Sequence, residues 1–149
     1  MTISIGADHH GFVLKNSLKR WLQLKGHELI DAGTDDPTST DYPDYALAVG
    51  SLVGSGEAEL GILICGTGIG MCIAANKVNG VRAARVCSEK DAQMARRHNN
   101  ANVLCFGAEI VNEALARRMV TAWMQNEFEG GRHERRVEKI TAFENKNEG

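Results

Sequence analysis

A thiol and a hydroxyl two residues apart, set among glycines, mark the most reactive stretch of this chain: Cys65-Gly-Thr-Gly-Ile-Gly70. It follows the apolar run Leu60-Gly-Ile-Leu-Ile64 and precedes a helix-like segment, so it reads as the turn between a buried strand and a helix. Amides at a helix start lack intrahelical partners. They suit an anion or a developing oxyanion, and their field favours a thiolate. The segment therefore offers Cys65 as base or nucleophile, Thr67 as a hydroxyl that passes protons, and a rack of N–H donors.

Spacing excludes several other chemistries. A dinucleotide fingerprint requires a third glycine where Met71 stands, and the turn follows the third strand rather than the first. A Walker A loop requires Gly-Lys-Ser/Thr, whereas Gly70 precedes Met71-Cys72. A cysteine phosphatase loop places an arginine at position 71. A serine-hydrolase elbow has Ser between more widely spaced glycines. Asp8, His9, His10, His27, His98 and His133 are potential metal ligands, but no pair has H-x-x-x-H or C-x-x-C spacing, so no metal is expected.

The elements that must position these groups alternate. Strand-like runs lie at 3–5, 28–31, 60–64, 81–86 and 102–106. Helical patterns follow Gly6 and cover 45–53, 69–78, a segment capped by Ser88 with Asp91 three residues on, 113–128 and 132–144. In the first helix, Leu14, Leu18, Trp21 and Leu22 share one face and Lys15 lies off it. Residues 35–43, rich in Asp, Thr, Ser and Pro, read as a loop. This is the pattern of an α/β fold: a Rossmann-like three-layer α/β/α sandwich on a five-stranded parallel sheet, in one domain over 1–149, with an extra C-terminal helix. Ligands of such sheets bind beyond the carboxyl ends of the strands, where Asp8, His9, His10, the Cys65 turn and Ser88 fall. The last helix carries only a narrow apolar stripe, Val137, Ile140 and Phe143. Two readings stand for it: contact with a second copy of the chain, or cover for its own sheet.

Composition narrows the setting. With 149 residues, 43% hydrophobic and 24% charged, the chain has material for a core. A net charge of −2 gives no general attraction to nucleic acid or an anionic membrane. No basic-then-apolar leader and no apolar run near 20 residues are seen, so a cytoplasmic protein is expected, with neither membrane nor nucleic acid as partner. The four cysteines should then be reduced, with Cys72, Cys87 and Cys105 serving as small buried hydrophobes. Arg132 and Arg136, four residues apart, share a helical face that fits a phosphate or a solvated charge pattern with Glu134 and Glu138. Arg96, Arg97 and His98 close the fourth helix, where a cation is favoured.

Taken together, Asp8-His9, Asp41-Tyr-Pro43, Cys65-Gly-Thr-Gly-Ile-Gly70, Ala74-Ala-Asn-Lys77, Gly80-Val-Arg-Ala83, His98-Asn99, Asn102-Val-Leu104 and Glu129-Gly-Gly-Arg132 resemble the ribose-5-phosphate isomerase type B family. The wider group includes allose- and galactose-6-phosphate isomerases. The resemblance spans residues 2–143. It implies interconversion of D-ribose 5-phosphate and D-ribulose 5-phosphate through an enediolate, with no cofactor. It also implies a homodimer or a dimer of dimers whose site draws on both subunits. On this pattern Cys65 is the base between C2 and C1, and His98 helps open the furanose ring. Thr67 and Asp8 assist proton transfer, and Gly66 to Gly70, including Gly68 and Ile69, hold the enediolate. Asp8, His9, Tyr42, Asn99, Arg132 and Arg136 bind the sugar phosphate. Glu109 departs from the pattern, standing where many members carry arginine, and so does Asn100, where an acidic residue is expected. A different aldose phosphate (tetrose or hexose) and a non-catalytic phosphate-binding module are the competing readings.

Overall fold

In the computed structural model, which describes residues 1–147, five parallel strands carry the chain's reactive ends. The elements run β1 (Thr2–Ala7), α1 (Phe12–Leu24), β2 (Glu28–Asp31), α2 (Tyr42–Gly54), β3 (Leu60–Cys65), α3 (Ile69–Ala75), β4 (Ala83–Arg85), α4 (Glu89–Asn99), β5 (Val103–Gly107), α5 (Glu113–Gln125) and α6 (Arg132–Asn147). Strand order is β2-β1-β3-β5-β4, so the central β3 is flanked by β1 and β5.

Side chains along a strand alternate between faces, and the core divides accordingly. Ile62 and Ile64 of β3 join Leu104 and Phe106 of β5 in one cluster, with Leu18 of α1, Ala92 of α4 and Met119, Val120 and Trp123 of α5. Leu63 and Cys65 join Val103 and Cys105 in the opposite cluster, with Val49 and Val53 of α2 and Met71 and Ala75 of α3. Both faces of the sheet are thus covered, as the near-continuous apolar strands require. At about 25 cal/mol per Å², each fully buried Ile or Leu of these strands contributes roughly 1.5–3 kcal/mol.

The expected five-stranded parallel α/β architecture is what the chain adopts, with shifted boundaries. α2 begins at Tyr42 rather than Tyr45, because Pro43 is tolerated in a first turn where its missing N–H has no partner to lose. α3 ends at Ala75 rather than 78, β4 has only three residues, and α5 stops at Gln125, where Asn126 turns extended. α6 runs on to Asn147. The Ser88 cap is present: its hydroxyl accepts the Asp91 amide at 3.1 Å, and the Asp91 carboxylate accepts the Cys87 amide at 3.1 Å. Lys15 is not off the buried face. It is 1% exposed, with its ammonium 2.8 Å from both carboxylate oxygens of Asp31, because the fold of β2 against α1 supplies a counter-charge there.

α6 answers in part to both readings. Val137 and His133 are buried where the helix meets α4, while Ile140 and Phe143 remain 55% and 68% exposed. Among the described residues no helix is long and apolar enough to cross a membrane.

Candidate active site

Parallel register places the end of β1 beside the end of β3: Ala7 pairs with Ile64, and the Asp8 amide donates to the Ile64 carbonyl at 3.2 Å. Asp8 thereby lies next to Cys65. The Asp8 carboxylate is nearly buried and accepts the His10 amide at 2.9 Å, with the His10 ring Nδ1 3.5 Å from its other oxygen. His9 is held differently. The Thr40 amide donates to its Nδ1 at 3.1 Å, so that nitrogen is an acceptor and the proton of a neutral His9 sits on Nε2.

The Cys65 sulfur accepts the Gly68 amide at 3.1 Å, and the Thr67 hydroxyl accepts the Ile69 amide at 3.2 Å. Two of the expected donors are therefore turned onto the turn's own side chains. The Gly68 amide fixes the thiol and aims a positive dipole at it. Gly68 has φ +83°, and a Cβ there would lie 2.8 Å from the backbone of Phe106, so no other residue fits. At Gly70 a Cβ would lie 2.6 Å from the Tyr42 ring, so the bare backbone lets Tyr42 lie across the start of α3. Asp8, His9, Tyr42 and the Cys65–Gly70 turn are thus joined at one end of the sheet.

Glu109 also belongs to this end. Its amide donates to the Gly66 carbonyl at 3.1 Å, and its carboxylate lies beside Gly66 and 3.5 Å from His10 Nε2. It is turned toward His10 and remains 60% exposed. Arg85, at the end of β4, was not anticipated: its Nε donates to the Thr67 carbonyl at 2.9 Å and braces the turn. An arginine closing a strand in this topology was the available signal.

The remaining predicted residues lie elsewhere. α4 must run back from the carboxyl end of β4 to the amino end of β5, and His98 and Asn99 are its last residues. Cys65 pairs with Gly107 and Gly61 with Val103, so about 13 Å of strand rise separates the Cys65 level from the start of β5. His98 and Cys65 therefore occupy opposite ends of the sheet within one protomer. Asn100 caps α4 in the left-handed conformation (φ 48°), which Asn tolerates, and its side chain accepts from Arg96 at 2.8 Å. Its place in the chain is structural.

Arg132 and Arg136 open α6 beside His98. The His98 and His133 rings stack, with centroids 4.1 Å apart and planes at 7°. Glu129 lies 3.7 Å from His98 and 3.5 Å from His133, and it accepts Arg97 Nε at 2.6 Å. Burial, followed by the charges of His98, Arg132 and Arg136, pushes His133 below the usual imidazole range. In sequence His133 counts only as a potential metal ligand and Glu129 only as part of the Glu129-Gly-Gly-Arg132 motif; the pair they form, four residues apart, becomes meaningful only when α6 docks on α4. Among the described residues, two groups bring ligating atoms within 4.8 Å of one another, Asp8-His9-His10 and His98-Glu129-His133. The first is three consecutive residues; the second is assembled where α6 and the segment before it meet α4. At the second, Arg97, Arg132 and Arg136 oppose a cation.

Cys105 is fully buried, as expected of a small hydrophobe. Cys72 and Cys87 are only half-buried, because the short α3 and the loop after β4 leave them near the surface. The Cys72 thiol is pulled down to about 7, first by a hydrogen bond from Cys105 and then, against burial, by Arg85 and Asn76. Burial pushes Cys105 well up.

Comparison with known proteins matches this geometry. Residues 3–140 fit the family model for ribose/galactose isomerases. The chain is 52% identical over 143 residues to ribose-5-phosphate isomerase B of Escherichia coli (strain K12), covering 95% of each chain. It is 45% identical over 146 residues to D-erythrulose-4-phosphate isomerase of Pectobacterium atrosepticum, covering 97% of this chain and 95% of that one. The structure of ribose-5-phosphate isomerase B from Mycoplasma genitalium with bound ribulose-5-phosphate superposes with a TM-score of 0.93 at 44% identity, covering 97% and 96% of the two chains. With a match of this extent, and with the thiol turn, strand-end Asp8-His9 and α6 arginines all in place, the chain belongs to the ribose/galactose isomerase family.

Proposed function

We propose that this protein is a cytoplasmic, cofactor-independent aldose–ketose isomerase that interconverts D-ribose 5-phosphate and D-ribulose 5-phosphate. The observation that carries the reading is the Cys65 sulfur on the glycine turn, held by the Gly68 amide beside Asp8. The reaction begins with a closed furanose. Water takes the O1 proton, the C1–O4 bond breaks as the C1 carbonyl forms, and His98, later reprotonated from solvent, supplies the proton that O4 takes up. The Cys65 thiolate then removes the C2 proton. Charge moves to O1, and amides of the Gly66–Gly70 turn other than those of Gly68 and Ile69 shelter the enediolate; one such donor is worth roughly 3–4 kcal/mol. The proton returns at C1, while Thr67 and Asp8 pass the hydroxyl proton from O2 to O1. His9, Tyr42 and Asn99 orient the sugar. Arg132 and Arg136 grip the phosphate, turning remote binding energy into placement of C1 and C2.

This chemistry requires two protomers. Cys65 and His98 lie at opposite ends of one sheet, so a complete site forms when the α4–α6 corner of one copy meets the strand ends of another. The exposed Ile69 and Ile73 on α3 and Ile140 and Phe143 on α6 supply apolar surface for such a homodimer. A second reading, an isomerase of a tetrose or hexose phosphate, draws on Glu109, whose carboxylate at Gly66 is placed to accept a sugar hydroxyl.

A panel of aldose phosphates of four to six carbons tests both. Ketose formation fastest from ribose 5-phosphate, and lost in Cys65→Ala, is the expected result. No turnover of any member would end the reading, and a preference for another chain length would replace ribose with that sugar.

A further inference from the structure

Glu129 has a place in the structure that the proposed chemistry does not yet use. Its amide donates to the Arg97 carbonyl at 3.0 Å, tying the segment after α5 to the last turn of α4. Oε2 is taken by Arg97 Nε at 2.6 Å. That leaves Oε1 facing two imidazole nitrogens at once, His98 Nε2 at 3.7 Å and His133 Nε2 at 3.5 Å. The flat stack of His98 on His133 keeps both nitrogens on the Glu129 side. The arrangement is complete within one protomer, before any partner arrives.

We propose that Glu129 is the positioning residue of His98, holding its ring through Nε2 and stabilising it in the protonated form that opens the sugar ring. The inference rests on the reading of His98 as the ring-opening group.

The surrounding charges make such a carboxylate necessary. From α4, Arg97 faces the cluster; from α6, Arg132, Arg136 and His133 face it. A proton on His98 therefore adds a positive charge to a corner already holding three guanidiniums. Glu129 opposes that cost, and Arg97, followed by the two imidazoles, holds its own carboxyl below the usual range, so it stays ionised. Burial and the same positive neighbours push His133 toward the neutral form. It can stack on an imidazolium without competing for the proton. Glu129 then favours the return of the His98 proton after each delivery to the sugar.

The test uses the full-length protein and the variants Glu129→Gln and Glu129→Asp. In ligand-free protein, the His98 imidazole is followed through its pH titration by NMR. Kinetics are measured on D-ribose 5-phosphate, which closes to a ring, and on D-erythrose 4-phosphate, whose esterified O4 prevents furanose closure. Glu129→Gln is expected to move the His98 midpoint to lower pH by about one unit, a tenfold change in proton affinity. It should lower kcat on the ring-closed sugar about tenfold while leaving KM and the open-chain rate near wild type. Glu129→Asp should restore most of kcat. A His98 titration that superimposes on the wild type would overturn the proposal, even with activity lost, since Glu129 would then only tether the loop. If Glu129→Gln does not fold, Glu129→Asp carries the test: a smaller shift in the same direction supports the proposal, and no shift ends it. Equal losses of His98→Ala on the ring-closed and the open-chain sugar would instead remove the ring-opening reading of His98, whatever Glu129 does to its titration.

Discussion

The two ends of the sheet are built by different means. At the carboxyl end, the backbone does the positioning. The Gly68 amide holds the Cys65 sulfur, Gly68 itself takes a conformation closed to other residues, and the Asp8 amide is fixed by the Ile64 carbonyl. At the amino end, the α4–α6 corner is an arrangement of long charged side chains: Arg97, His98, Glu129, Arg132 and Arg136 around His133. On the proposed reading, the first region moves a carbon-bound proton and shelters an oxyanion, and the second grips a phosphate and supplies a proton to oxygen. Each lacks what the other has, and about 13 Å of strand rise keeps them apart in a single chain.

That contrast predicts unequal penalties. Cys65→Ala should abolish turnover of ring-closed and open-chain substrates alike, by about 10³- to 10⁴-fold in kcat. His98→Ala should cost about 10²-fold, and only where a ring must open. Equal losses on ribose 5-phosphate and erythrose 4-phosphate in the His98 variant would erase the division of labour. Next in size, Arg132→Ala and Arg136→Ala should each raise KM by the equivalent of about 1.5–3 kcal/mol, with kcat changed less. Initial-rate kinetics check this, and an unchanged KM in both would make the corner a solvated surface.

The smallest effect concerns pH. His133 lies below its ordinary range in the folded protein, so the unfolded chain takes up the proton first as pH falls through about 6.5. Stability contributed by the neutral buried ring is therefore present above that pH and is lost below it. Urea midpoints at pH 7.5 and 5.5 should differ more in the wild type than in His133→Asn. The same difference in both would mean that His133 titrates as it does in the unfolded chain.

The contrast also explains what could be read in advance. The Cys65 turn was legible because strand, glycines and helix start are contiguous, and its chemistry follows from local backbone physics. The parallel sheet was legible from alternating runs. Lys15 was misplaced because its burial depends on Asp31, sixteen residues away, and no helical periodicity encodes a tertiary counter-charge. Arg85 went unread, and Glu129 and His133 were read only as a motif residue and a potential metal ligand, for the same reason: each acquires its role through a contact across elements. The half-burial of Cys72 depended on where α3 stops, the kind of boundary that periodicity places least well.

Mixing the two variant proteins, Cys65→Ala and His98→Ala, tests the proposed dimer and its shared site most directly. After subunit exchange, each heterodimer should hold one site with both Cys65 and His98 intact and one with neither. Random reassortment should then return about a quarter of wild-type activity on ribose 5-phosphate. Activity that stays at the sum of the two parents, with exchange verified by native mass spectrometry, would contradict a site built from two protomers.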